Sequence, residues 1–208
     1  MLKKVFGSRS SSNKPGKAQT VVVVSGLPRS GTSMMMKMLA EGGLQVLTDA
    51  IRSADEDNPN GYFELEVVKQ LAEGQKEWLA NADHKLVKVI SALLEHLPPE
   101  HHYKVLFMER QIPEILASQR KMLARRNETS NISDAEMEAQ FREHLKVIKY
   151  WLARQPNMDV MYVDYNRMMA NPDEYCPKIV AFLGMPLDVE KMRSVPNEKL
   201  YRNRAPSS

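Results

Sequence analysis

The sequence predicts an α/β fold, a three-layer sandwich with a mostly parallel central sheet between two layers of helices. Three observations point there. Val21-Val22-Val23-Val24 is a run of four β-branched residues, the pattern of a strand buried on both faces. It runs into a turn bracketed by Gly26 and Gly31, and then into a helical stretch rich in Met and Leu. Downstream, short apolar runs keep alternating with helical ones, as parallel strands joined by crossover helices must. At 208 residues, 43% of them hydrophobic, the chain is long enough for one such core. We expect a single domain over residues 19–208.

The elements follow in order. Residues 1–18 are rich in Ser, Lys and Gly and read as a disordered basic tail. Residues 20–25 form the first strand and 31–41 the first helix, whose Met34, Met35, Met38 and Leu39 are core filler, ended by Gly42-Gly43. Leu44–Leu47 reads as a short second strand. Residues 48–61, from Asp49 through Asn58-Pro59-Asn60-Gly61, are too polar and turn-rich for a core element. A helix is expected over 62–80, a strand over Lys85–Ile90, a short helical piece over Ser91–Leu97 stopped by Pro98-Pro99, and a strand over Lys104–Met108. Pro113 then suits the first turn of a helix, with Glu114 favourable at its positive end. That helix exposes Arg120, Lys121, Arg125 and Arg126. Ser133-Asp134-Ala135-Glu136 is a capping box, and Phe141, Leu145, Ile148 and Leu152 line one face of the helix after it. Asp159–Val163 is the last strand. Asn171-Pro172 starts a final helix that Gly184 closes.

Charge excludes one class of function. The chain carries +3 in all, but Lys3, Lys4, Arg9, Lys14 and Lys17 put +5 on the first 17 residues, which leaves −2 on the rest. A near-neutral body lacks the broad basic patch of a nucleic-acid binder. One cysteine, Cys176, cannot make an internal disulfide. No apolar run approaches the roughly 18 residues of a spanning helix, and none follows the basic start as a signal-peptide core would. A soluble, cytoplasmic protein with no membrane partner is the expectation.

The stretch that carries chemistry is the first turn. Strand, glycine-bracketed loop and helix start together make a phosphate cradle, because loop and helix N–H groups converge at the positive end of a helix dipole. The spacing nearly matches the nucleotide loop G-x-x-x-x-G-K-[ST]. Gly26, Gly31 and Ser33 are in register, but Thr32 stands where the lysine belongs. That lysine reaches the terminal phosphates of a nucleoside triphosphate. Here the cation lies inside the loop, as Arg29, so the site suits an anion better than ATP held with magnesium.

Pro28-Arg29-Ser30-Gly31-Thr32-Ser33 resembles the 5′-phosphosulfate loop of sulfotransferases that use 3′-phosphoadenosine 5′-phosphosulfate (PAPS), whose motif is Pro-(Lys/Arg)-Ser-Gly-(Thr/Ser)-(Thr/Ser) and whose fold is related to P-loop kinases. The resemblance implies that Arg29, Ser30, Gly31, Thr32 and Ser33 hold the 5′-phosphosulfate. Arg110, at a strand end, and Ser118, two helical turns on, resemble the family's 3′-phosphate pair. Sulfuryl transfer should be in-line, with charge on peripheral oxygens, and side-chain cations can stabilise it without a metal. Arg29 and Lys88 are the candidates, since Leu86-Val87-Lys88-Val89 resembles the family segment whose lysine contacts the leaving oxygen. An acceptor hydroxyl or amine also needs a base. Asp49 lies near where tyrosyl-protein-type relatives place a catalytic Glu and is preferred over Glu64; none of His84, His96, His101, His102 and His144 falls in a segment that matches the family's histidine.

Val163-Asp164-Tyr165, Asn171-Pro172 and Phe182-Leu183-Gly184-Met185-Pro186 extend the resemblance, and Leu200–Arg204 resembles a terminal segment of bacterial members. The Gly-rich C-terminal 3′-phosphate motif of cytosolic animal enzymes is not found. The implied activity is transfer of a sulfuryl group from PAPS to a small-molecule, glycan or peptide acceptor. The alternatives are a P-loop kinase or NTPase, with Asp164 as a magnesium-binding strand end, and a non-catalytic nucleotide-binding protein of the same fold.

Overall fold

The computed structural model describes residues 18–49 and 61–196. The basic tail, most of the 48–61 loop and the Leu200–Arg204 segment lie outside the described residues. Four strands, β1 (Thr20–Gly26), β2 (Leu86–Lys88), β3 (His102–Glu109) and β4 (Met158–Asp164), form one sheet in the order β2-β1-β3-β4. Every pairing is parallel: Val24 lies opposite Lys88 on one side and Leu106 on the other, and Glu109 opposite Asp164. Parallel register has a direct consequence. It brings Gly26, Lys88, Glu109 and Asp164 to the same edge of the sheet.

The sheet is covered on both faces, as the Val run requires. Val22, Val24, Leu86, Leu106 and Met108 face α1 (Thr32–Glu41), α4 (Tyr165–Ala170), α5 (Pro172–Leu183) and α6 (Val189–Arg193). Val21, Val23, Val87, Val105 and Phe107 face α3 (Asp134–Leu152) and the 3₁₀ segments. Met34, Met35, Met36 and Met38 of α1 are all buried, filling the first layer with flexible, unbranched side chains. The predicted capping box of α3 forms, with Ser133 and Glu136 bonding each other's backbone N–H, while Phe141 and Leu145 are only half-buried beside buried Ile148 and Leu152.

Several expectations are corrected. The helix over 62–80 is instead two 3₁₀ segments, Glu66–Glu73 and Glu77–Asn81. Gly74 sits at φ 90 and ends the first. Leu65, Val68 and Leu71 recur every third residue, which matches three residues per turn better than 3.6. Leu44–Leu47 supplies one parallel bridge, Val46 to Leu86, not a strand. Asn171 precedes Pro172 as expected but makes no side-chain cap. α4 and α6 are additional short helices, capped by Asp164 and Asp188. Among the described residues no helix is long and apolar enough to cross a membrane.

Candidate active site at the strand–helix loop

The loop from Gly26 to Ser33 is shaped by its glycines. A Cβ on Gly26 would meet the Met108 carbonyl and the Ser30 hydroxyl, each at 2.7 Å. Gly31 sits at φ 100 as the N-cap of α1, and a Cβ there would lie 2.3 Å from the Tyr165 ring. Close packing, and not turn geometry alone, therefore demands glycine at both places. No side chain caps α1. Met34 and Met35 donate their N–H groups to the Gly31 carbonyl, whereas those of the first helical residues have no intrahelical acceptor within reach. Ser30 is fully buried and its Oγ has no hydrogen-bond partner among the described residues. A buried hydroxyl without a partner, beside an uncapped helix start, fits an anion that would complete both.

Arg29 is held at φ 69, a strained conformation for a non-glycine residue. Its Nε donates to Ser118 Oγ at 2.9 Å, and its carbonyl accepts from Arg110 Nη1 at 3.2 Å. Arg110 and Ser118, 81 and 89 residues away in sequence, thus converge on the loop. Ser118 belongs to α2 (Ile112–Arg125). Arg110 is fixed from two sides. Its Nε donates to Glu114 at 2.8 Å, with both side chains nearly inaccessible, and its guanidinium lies 4.5 Å from the Tyr165 ring centre. Glu114 in turn accepts from Asn166 Nδ2 at 2.9 Å. It lies in the first turn of α2, as expected, and is also buried there as the anchor of Arg110. Burial pushes the Tyr165 hydroxyl above its ordinary pKa, and the Arg110 charge opposes part of that rise.

Lys88 reaches the loop from β2. Its Nζ donates to the Tyr62 carbonyl at 2.9 Å and to Ser33 Oγ at 3.3 Å. Glu64 Oε1 lies 3.7 Å from the same ammonium, and the other Glu64 oxygen 3.3 Å from Lys69. Phe63, between Tyr62 and Glu64, sits at φ 49. A bulky residue rarely adopts that conformation, and here it joins the carbonyl that takes Lys88 to the carboxylate that faces it.

Asp49 is placed differently. Its Oδ2 accepts from the Glu66 N–H at 2.6 Å, and its own N–H bonds the Glu64 carbonyl at 3.3 Å. It braces the Glu64 segment, while Glu64 is the carboxylate beside Lys88. His144 faces Ser91 at 2.8 Å and His102 faces Asp159 at 3.1 Å. Asp164, the strand-end acid of the kinase alternative, accepts from the Arg167 N–H as a helix cap. Glu114, Tyr165 and Asn166 are the site residues that sequence reasoning missed as such. The only local signal was Tyr165, within a segment that already resembled the family.

Fold and loop together define an α/β protein with an all-parallel sheet and a glycine-bracketed strand–helix loop. A family model described as a sulfotransferase domain matches residues 19–203, and the chain belongs to that family. No curated protein sequence matches it. Among solved structures it is similar to the sulfotransferase domain of the Synechococcus PCC 7002 olefin synthase (12% identity, TM-score 0.49, 90% of this chain and 84% of that one). It is also similar to an unliganded sugar kinase from Janibacter sp. HTCC2649 (14% identity, TM-score 0.42, 86% of this chain and 99% of that one). The family assignment rests on the sequence-family match.

Proposed function

We propose that the protein transfers a sulfuryl group from PAPS to a hydroxyl or amine acceptor, releasing 3′-phosphoadenosine 5′-phosphate. The observation that carries this reading is Lys88. The cation that the loop lacks at Thr32 comes from the neighbouring strand, 3.3 Å from Ser33. In a nucleoside-triphosphate loop it would come from within the loop itself.

PAPS, when bound, supplies an activated sulfuryl group on its 5′-phosphate. The N–H groups of the α1 start and the Ser30 hydroxyl hold that phosphosulfate end. Lys88 neutralises the oxygen that departs with the S–O bond pair. Glu64 takes the proton from the acceptor as the acceptor oxygen or nitrogen bonds to sulfur. Arg110 and Ser118 hold the 3′-phosphate, with Glu114 and Tyr165 keeping Arg110 in place. No metal takes part in this scheme, and a cytoplasmic setting suits it.

Isothermal titration tests the reading. The wild type should bind 3′-phosphoadenosine 5′-phosphate about 10- to 100-fold more tightly than 5′-AMP, the value of a phosphate held by charged donors. Tighter binding of ATP with magnesium would favour a kinase or NTPase instead. Nucleotide binding without sulfation of any acceptor in a broad panel would favour a non-catalytic role.

A further inference from the structure

We infer that the outer face of α3 seats a second copy of this chain, the two helices lying antiparallel about a two-fold axis. α3 turns Ile148 and Leu152 to the sheet, where both are buried. Val147 and Tyr150 lie away from that side and are 57% and 63% exposed. They are the most exposed large apolar side chains among the described residues. Single exposed apolar residues are ordinary; what distinguishes these two is their flanks. Glu143, Val147, Tyr150 and Arg154 follow at spacings of four, three and four residues, which makes one stripe along a helix. Arg154, just past the helix end, is held on that stripe. Its guanidinium lies 3.2 Å from the Tyr150 ring centre, and its Nη1 donates to the Tyr150 carbonyl at 2.8 Å.

The stripe therefore runs acid, apolar, apolar, base. That order is self-complementary across a two-fold axis that crosses α3 between Val147 and Tyr150. An antiparallel copy sets Val147 against the partner's Tyr150 and Glu143 against the partner's Arg154, each contact made twice. A parallel copy would set Glu143 on the partner's Glu143, like charge on like. Glu143 now faces Lys146 at 3.9 Å, with both side chains largely exposed. A pair so exposed holds little and yields readily to a better partner. Arg154 spends Nη1 on the Tyr150 carbonyl, and the rest of its fork suits a carboxylate. Tyrosine and arginine at the middle of such a patch are the side chains that anchor protein contacts. One helix per copy is a small interface, so the dimer should be weak, with a dissociation constant of about 1–100 µM.

Sedimentation velocity of the full chain, from about 1 to 300 µM, tests this. The wild type should show a reversible monomer–dimer equilibrium. Val147→Glu should weaken it by about 10-fold or more. Glu143→Arg and Arg154→Glu, each alone, bring like charges together twice and should weaken it by about 10-fold. Mixed in equal amounts, these two variants should recover dimer to within a few-fold of the wild type, because their heterodimer restores opposite charge at both ends. All three positions are exposed, and mutual rescue also shows that both charge variants are folded. A wild type that stays monomeric throughout, a dimer indifferent to Val147→Glu or to the charge reversals, or reversals that do not rescue each other would each overturn the inference.

Discussion

Arg110 and Glu114 form the ion pair most open to a quantitative test. Their side chains are 8% and 1% exposed and 2.8 Å apart. Removing either partner leaves the other charge buried, which costs about 3–5 kcal/mol. In a domain of this size each kcal/mol moves the melting temperature by about 2–4 °C, so Arg110→Met or Glu114→Leu alone should lower it by roughly 6–20 °C. The double variant removes both charges and keeps apolar volume. Its remaining deficit is the acceptor lost by Asn166 Nδ2 and the donor lost by the Arg29 carbonyl, about 1–3 kcal/mol each. Urea unfolding of the four proteins therefore should give a coupling energy of about 4 kcal/mol, with the double variant far more stable than the sum of the singles. Additivity within about 0.5 kcal/mol would show that the two groups do not act as a pair, and the account of how Arg110 is held would fail.

Gly31→Ala should destabilise the fold by about 2 kcal/mol or more, from the left-handed φ and the overlap with Tyr165, and abolish nucleotide binding; retained binding in titration would refute the loop's packing. Glu64→Gln should slow release of 3′-phosphoadenosine 5′-phosphate from PAPS with an acceptor by about 10²- to 10⁴-fold at unchanged nucleotide affinity. Asp49→Asn, which weakens the brace on the Glu66 N–H, should leave that rate within a few-fold; the reverse ranking would point to Asp49 as the base. Cys176 is fully buried, and burial pushes its thiol pKa up to about 11. Labelling by a thiol reagent at mildly alkaline pH should then follow the unfolding rate, and rapid labelling of the native protein would contradict the core packing. Hydrogen bonds from Lys104 and His102 hold the Asp159 carboxyl below its ordinary 3.8. Its contribution to stability is present above that pH and lost as pH falls through the depressed pKa. The pair is half-exposed, so the melting-temperature gap between wild type and Asp159→Asn should be small at neutral pH and close at acid pH. A gap that widens on acidification would reverse the sign.

The elements whose signals are local were legible in advance. Val21–Val24 announced a strand covered on both faces, Gly26 and Gly31 bracketed the loop, and Ser133 to Glu136 marked the start of α3. The break near Gly74 was equally local, but a helix over 62–80 passes over the three-residue recurrence of Leu65, Val68 and Leu71. The candidate site was legible as residue types: an arginine in the loop, a lysine on a strand, and an arginine with a serine after another strand.

What the chain order could not reveal was which of these meet. Glu64 rather than Asp49 faces Lys88 because a turn at Phe63 swings one carboxylate in, while the other is used on the Glu66 N–H. Glu114 was readable as a helix-start acid but not as the partner of Arg110 and Asn166. The sequence by itself determined the strand, the loop and the helix start, since backbone propensity and glycine geometry act within a few residues. Only the tertiary structure decided which of these side chains meet. Side chains 55 to 89 residues apart become neighbours only when parallel pairing aligns the ends of β1, β2 and β3 at one edge of the sheet.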